Sequence, residues 1–155
     1  MRFTLRPIVL LPLLLTSLCV PVRAAGIDKN LLLDEQQLTQ LEQRAEQASP
    51  RDQCFLYTEL VSAMTDLAGR QLLNGDPDRA SATLKKVASY AQRIHMNLAR
   101  DTKKLKNAEQ MMHRTTYRLN EFLRSASYED KPTLQATLKQ LNQVQTELLT
   151  QVFNH

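Results

Sequence analysis

Apolar residues recur at helical spacing from the middle of the chain to its end. From residue 78 to residue 126 the sequence contains no Gly and no Pro. Apolar positions there alternate in steps of three and four, which predicts one long coiled-coil-like helix of about 75 Å. The first set of seam positions is Leu84, Ala91, Leu98, Leu105, Met112, Leu119 and Ala126, and the second is Ala80, Val87, Ile94, Asp101, Ala108, Thr115 and Phe122. Asp101 and Thr115 are polar defects in this seam.

Capping and turn signals divide the rest of the chain into shorter helices. Asp34 and Gln37 have the spacing of a capping box, and Ser49-Pro50 starts another helix. The Gly75-Asp76-Pro77 sequence ends that helix, because it supplies a residue that tolerates positive φ, a capping side chain and a first-turn proline. The predicted helices span residues 34–48, 50–74, 77–126 and 132–153.

Hydrophobic positions match when the long helix forms an antiparallel hairpin with each of its two neighbours. Residues that face each other in such a hairpin have numbers with a nearly constant sum. A sum near 151 pairs Leu60 with Ala91, and a sum near 257 pairs Leu119 with Leu138. The predicted fold class is therefore all-α, with antiparallel helical hairpins that share a long central helix over residues 77–126.

An alternative architecture breaks the long helix near residues 100–102. Asp101 is a poor seam residue, and a break there would give an up-down-up-down four-helix bundle. Against this alternative, no Gly or Pro marks a turn at that point, and the heptad phase continues on both sides. We therefore expect the continuous helix. In either architecture Gln145 interrupts the apolar stripe of the last helix and requires a polar or hydrated neighbour.

The first 24 residues have the pattern of a cleaved secretory signal. Arg2 and Arg6 precede an apolar stretch over residues 8–20, and Val22-Arg23-Ala24 has small residues at the spacing that signal peptidase requires. The apolar stretch is shorter than the roughly 20 residues of a spanning helix. We expect a mature protein that starts near residue 25 and is periplasmic or secreted, with no stable membrane insertion after cleavage.

Cleavage changes the charge and the cysteine count. The whole chain has 20 basic and 16 acidic residues, and three of the arginines belong to the signal. The mature chain would comprise a leader and short helix over residues 25–49 and a helical-hairpin domain over residues 50–155, and it would be nearly neutral. One cysteine remains, Cys54, which predicts either a small buried apolar side chain or an intermolecular disulfide.

Acidic and basic residues occupy different parts of the mature chain. Residues 28–78 carry ten acids and four bases, whereas residues 79–118 carry ten bases and two acids. Opposed charge blocks on successive helices favour antiparallel pairing.

Candidate binding and catalytic residues have simpler structural explanations. The basic run at Arg100, Lys103, Lys104 and Lys106 has no aromatic stacking platform, so we expect a solvated face and no nucleic-acid partner. His95, His113, Met96, Met111 and Met112 are soft-metal ligand types, but the two histidines would be about 27 Å apart on one helix. Glu59, Asp66 and His95 lie near one another in the hairpin, where we expect ion pairs. We predict no catalytic, cofactor-binding or metal-binding residues.

Two short segments are similar to known helical families. The spacing of a tetratricopeptide hairpin occurs once, at Leu67, Ala68, Gly75, Ala80 and Leu84. One copy implies a helical hairpin and not a solenoid. Leu33-Asp34-Glu35-Gln36-Gln37 is similar to the Leu-Thr-x-x-Gln motif of periplasmic metal-stress chaperones, with Asp34 in place of Thr. Neither resemblance carries functional residues over to this chain.

These observations predict an exported, non-catalytic helical protein. Its expected role is structural, or that of a protein-interaction module with a protein partner or a second copy of itself. The first alternative is a periplasmic stress chaperone or metal-sensing protein, and the second is an enzyme with an unrecognised site.

Overall fold

The computed structural model describes residues 29–97 and 104–154, with side chains over 35–95 and 104–154. These residues form five α-helices and no strand, so the predicted all-α class is confirmed. The helices are α1 (Lys29–Gln47), α2 (Pro50–Leu73), α3 (Pro77–Asn97), α4 (Leu105–Ser125) and α5 (Lys131–Asn154).

Helices α2 and α3 form the first predicted hairpin. Gly75 has a φ of 74°, and the N–H of Asp76 donates to the carbonyl of Gln71 at 2.9 Å, which is the bond that closes a Schellman motif. The Asp76 carboxylate then accepts from the N–H of Arg79 at 3.3 Å and caps α3. The expected register is confirmed, since Thr83 donates to the Gln71 amide oxygen at 2.8 Å across the hairpin.

Helices α4 and α5 form the second predicted hairpin. Thr116 donates to the amide oxygen of Gln145 at 2.9 Å, and the Gln145 amide nitrogen lies 2.8 Å from Nδ1 of His113. These contacts confirm the predicted register within a few residues. They also supply the polar neighbour that Gln145 was expected to need.

The predicted continuous helix over residues 77–126 is wrong, and the alternative of two separate helices is correct. The predicted site of the break, near residues 100–102, lies outside the described residues. Helix α4 runs parallel to α2, because Arg118 contacts Asp66 while Phe122 packs against Gly69 one turn further along. Helix α3 runs antiparallel to α2, so α3 and α4 cannot be one helix. Folding back stacks the two hairpins, which buries apolar faces that a single rod would leave in water.

The two hairpins stack with helices of like direction side by side. Helix α2 contacts α4, and α3 contacts α5, while α3 and α4 lie on a diagonal. The α3–α5 contact is parallel as well, since Gln140 reaches Ala88 and Glu147 reaches His95. The helix directions alternate along the chain, as in the predicted bundle. The two hairpins, however, pack so that each helix of the first lies beside the parallel helix of the second.

The core lies between the four long helices. Thr115, one of the predicted seam defects, is fully buried and donates to the carbonyl of Met111 at 2.9 Å, so its hydroxyl is satisfied within its own helix. Asp101, the other defect, lies outside the described residues. The largest fully buried apolar side chains are Leu60, Leu84, Ile94, Met112, Leu119, Leu134, Leu141 and Leu148.

Helix α1 packs against α2 from outside the stack. It begins at Lys29, so the predicted capped start at Asp34 is wrong. Residues 29–33 contain neither Gly nor Pro, and the helix continues through them. Contacts of Glu35 with Arg79 and of Glu46 with Arg93 show that α1 runs parallel to α3.

Candidate functional site

The structure separates most of the residues that the sequence put forward for chemistry. His95 Nδ1 lies 2.6 Å from a Glu147 carboxylate oxygen, whereas His113 lies beside Gln145. Met112 is fully buried in the core. Across the described ranges no three His, Cys, Asp or Glu side chains converge in a way that could hold a metal ion. The side chain of Met96 lies outside those ranges.

Asp66 forms an ion pair, as predicted, with a base of α4. Asp66 accepts from Nη1 of Arg118 at 2.7 Å, and Nη2 of the same guanidinium donates to Ser62 at 2.7 Å. Arg93 contacts Glu46 of α1. The carboxylate of Asp66 therefore joins the two hairpins.

Cys54 is a buried thiol, as the first of its two sequence interpretations predicts. Its side chain is fully inaccessible on the inner face of α2. Burial raises the pKa of the Cys54 thiol from its ordinary value of 9.0 to about 12. In this fold the sulfur cannot meet a thiol of another chain.

The described part of the basic run lies at the start of α4. Lys104 adopts a left-handed backbone with a φ of 57°, and its ammonium lies 4.6 Å from the centre of the Phe55 ring in α2. Lys106 is exposed to solvent. Arg100 and Lys103 lie outside the described residues. The ammonium of Lys104 therefore helps to join α4 to α2.

A groove along α2 and α3 is covered by α1 and contains two clefts. On one side of Leu38 a cleft of about 350 Å³ extends to α3, and on the other side a cleft of about 250 Å³ extends along α2. Leu38 and Ala45 are the buried apolar residues of α1 among its described side chains. Helix α1 therefore lies over the groove without filling it.

Acidic side chains of α1 contact donors along α3. Glu35 pairs with Arg79, Glu42 accepts from the Tyr90 hydroxyl, and Glu46 lies 3.4 Å from Nη1 of Arg93. The side chains of the two ion pairs are 41% to 49% exposed, so each pair contributes at most about 1 kcal/mol. A row of weak polar contacts holds α1 to the hairpin.

An aromatic platform lies beneath the end of this row. The rings of Tyr57 and Tyr90 stack with centroids 5.8 Å apart. The Arg93 guanidinium lies 5.6 Å and 5.5 Å from the two ring centres, and Nη1 donates to the Tyr57 hydroxyl at 3.1 Å. Burial and the hydrogen bond to Glu42 raise the pKa of Tyr90, which keeps its hydroxyl protonated as a donor.

The groove was not predicted from the sequence, although a signal for it is present there. Arg79, Lys86 and Arg93 are seven residues apart on α3, and Glu35 and Glu42 are seven apart on α1. Matching seven-residue spacings of opposite charge place the two sets on facing helix surfaces. The signal was obscured because the acids of this region could equally be assigned to the α2–α3 hairpin.

The chain was compared with known protein families, curated proteins and solved structures. Neither family models, curated proteins nor solved structures give a significant match to the chain. Within the described ranges, no helix combines the length and apolar character that a membrane span needs.

Proposed function

We propose that this protein is an exported, non-catalytic module that binds another protein through a helical surface. The observation that carries the proposal is the groove under α1, where Met64 and Leu67 of α2 and Arg79 and Lys86 of α3 line a cleft of about 350 Å³ together with side chains of α1. A surface of this shape suits an elongated helical partner, because helix-in-groove recognition uses an apolar floor with flanking charges.

Export is supported by the sequence pattern of the first 24 residues. A basic segment, a short apolar stretch and small residues before position 25 are the three parts of a secretory signal. The proposed location of the mature chain is the periplasm or the extracellular space.

Cell fractionation followed by in-cell crosslinking tests the proposal. We expect the mature chain, with its new N-terminus near residue 25, in the envelope or medium fraction, crosslinked to a protein in fixed stoichiometry. The matched control is Leu60→Asp, which places a charge in the core and should lose the specific crosslink. The proposal would be contradicted by an uncleaved chain that stays in the cytosol, or by a mature chain that crosslinks to no protein.

A further inference from the structure

We propose that the groove between α2 and α3 is a docking site for an acidic amphipathic helix of a partner protein. In the free protein, α1 occupies this groove and competes with the partner. The inference rests on the proposed binding function and adds the chemistry of the partner.

A row of cations lies along one edge of the groove. Arg79, Lys86 and Arg93 recur every seven residues on α3, so they lie along one stripe of the helix. Arg79 and Lys86 line the same cleft as Glu35 and Glu42. A helix with carboxylates about seven residues apart would place them against this stripe.

The groove also has an apolar floor. Met64 and Leu67 of α2 line the cleft beside Leu38, and the stacked Tyr57 and Tyr90 rings lie further along the groove. An apolar floor beside a cationic edge selects a helix that carries both a leucine and acidic residues. Electrostatic matching of this kind contributes specificity and orientation.

Helix α1 is a replaceable occupant of the groove. Clefts remain on both sides of Leu38, and the ion pairs of α1 with Arg79 and Arg93 are partly exposed. The connection from α1 to α2 is two residues, Ala48 and Ser49, followed by Pro50. Over the described side chains of α1, residues 35–47, two apolar residues are buried, and segments with few buried apolar contacts open locally before the rest of a protein does.

The arrangement of α1 describes the helix that the groove accepts. Counted from Glu35, acidic residues occupy the first, eighth and twelfth positions of the pattern, at Glu35, Glu42 and Glu46. Leu38 is the fourth position, and Ala45 is the eleventh. The small residue at the eleventh position is fully buried, so a large side chain there would clash.

A charge-swap titration tests the inference with the chain from residue 25 onward. The probes are a fluorescent peptide of residues 29–48 and the same peptide with Glu35→Lys and Glu46→Lys. The proteins are the unmodified chain, a Glu35→Lys/Glu46→Lys variant with weakened α1 docking, and an Arg79→Glu/Arg93→Glu variant with a reversed groove. Circular dichroism confirms that each variant is folded.

We expect the weakened-α1 variant to bind the acidic peptide at least about tenfold more tightly than the unmodified chain does. The reversed-groove variant should prefer the lysine-substituted peptide, because its groove then carries carboxylates. Equal binding of both peptides to each variant would overturn the inference, and so would no binding up to about 0.1 mM peptide.

Hydrogen exchange on the unmodified chain decides the question if a variant fails to fold. Excess acidic peptide should accelerate exchange at the amides of residues 35–47, because α1 is displaced. Unchanged exchange with peptide in large excess would also overturn the inference. The crosslinking test detects protein binding by any surface, so failure of the acidic-helix inference and failure of the proposed binding function give different results.

Discussion

A close approach between helices at Gly69 shows how a single residue sets the spacing of the stack. A Cβ placed on Gly69 would lie 2.2 Å from Cζ of Phe122, in α4. Gly69 is buried inside α2, near its C-terminal end, where glycine costs about 1 kcal/mol of helix stability relative to alanine. The absence of a side chain allows the Phe122 ring to pack directly on the α2 backbone.

Replacing Gly69 by Ala should therefore destabilise the fold despite the better helix propensity of alanine. We expect a net loss of about 1–2 kcal/mol in the free energy of unfolding, because the Phe122 ring must move. Urea denaturation measures this loss. In a Phe122→Ala background the same substitution should be neutral or stabilising, and a loss in both backgrounds would show that the ring is not the cause.

The Cys54 thiol should be unreactive in the folded protein. Burial raises its pKa to about 12, so the thiolate that reacts with disulfide reagents is scarce near neutral pH. Labelling should occur only at the rate of unfolding, which addition of urea would accelerate. Rapid labelling of the native chain at pH 8 would contradict the buried position.

The same shift gives a direction for the pH dependence of stability. The pKa of this thiol is higher in the folded chain than in the unfolded chain. Its contribution to stability is therefore complete at pH values below the pKa that it has in the unfolded chain. Between pH 9 and 12 the unfolded chain ionises first, so this contribution falls as the pH rises. A Cys54→Ala variant should lose less stability across this alkaline range than the unmodified chain does.

At the scale of elements, the stacking of the hairpins depends on contacts between α2 and α4. Arg118 reaches both Asp66 and Ser62, which lie one turn apart on α2. This pairing joins an acid of the acidic block to a base of the basic block, as the charge pattern suggests. The charge pattern is compatible with several such pairs, and the packing of the two hairpins determines that Asp66 and Arg118 form this one.

A double-mutant cycle on Asp66→Asn and Arg118→Gln tests the parallel stacking. Because the two side chains are about one-third exposed, we expect a coupling energy of roughly 0.5–1 kcal/mol at low salt. Thermal unfolding of the four proteins gives this coupling. A coupling of zero at low salt would argue that α4 does not lie beside α2.

At the scale of the whole molecule, folding back between α3 and α4 replaces a rod with a short stack. A continuous helix over residues 77–126 would be about 75 Å long and would have a radius of gyration near 22 Å. A packed domain made of the whole chain from residue 25 onward would have a radius of gyration of about 14 Å. The two architectures therefore differ strongly in overall size.

Small-angle X-ray scattering of the chain from residue 25 onward separates these architectures. We expect a radius of gyration well below that of the rod, and sedimentation at several concentrations shows whether the scattering particle is one chain or two. A monomer with a radius of gyration above about 20 Å would contradict the stacked hairpins.

Much of the fold follows from local pattern in the sequence. The apolar seam, the Gly75-Asp76-Pro77 turn and the pairing of Leu60 with Ala91 depend on spacing and turn chemistry that neighbouring residues determine. The seven-residue spacing of apolar positions also continues through residues 98–103 in the sequence. Helices α3 and α4 each bury an apolar stripe, so two helices satisfy this spacing as well as one does. Periodicity alone therefore could not distinguish one helix from two.

The sequence by itself determined the helical class, the two hairpins and the registers within them, because these depend on contacts between consecutive helices. The tertiary structure alone decided the direction of α4, the parallel stacking at Gly69 and Phe122, and the groove that α1 covers. Those features depend on contacts between residues far apart in the chain, where each charged or apolar residue has several equivalent partners until the helices are packed.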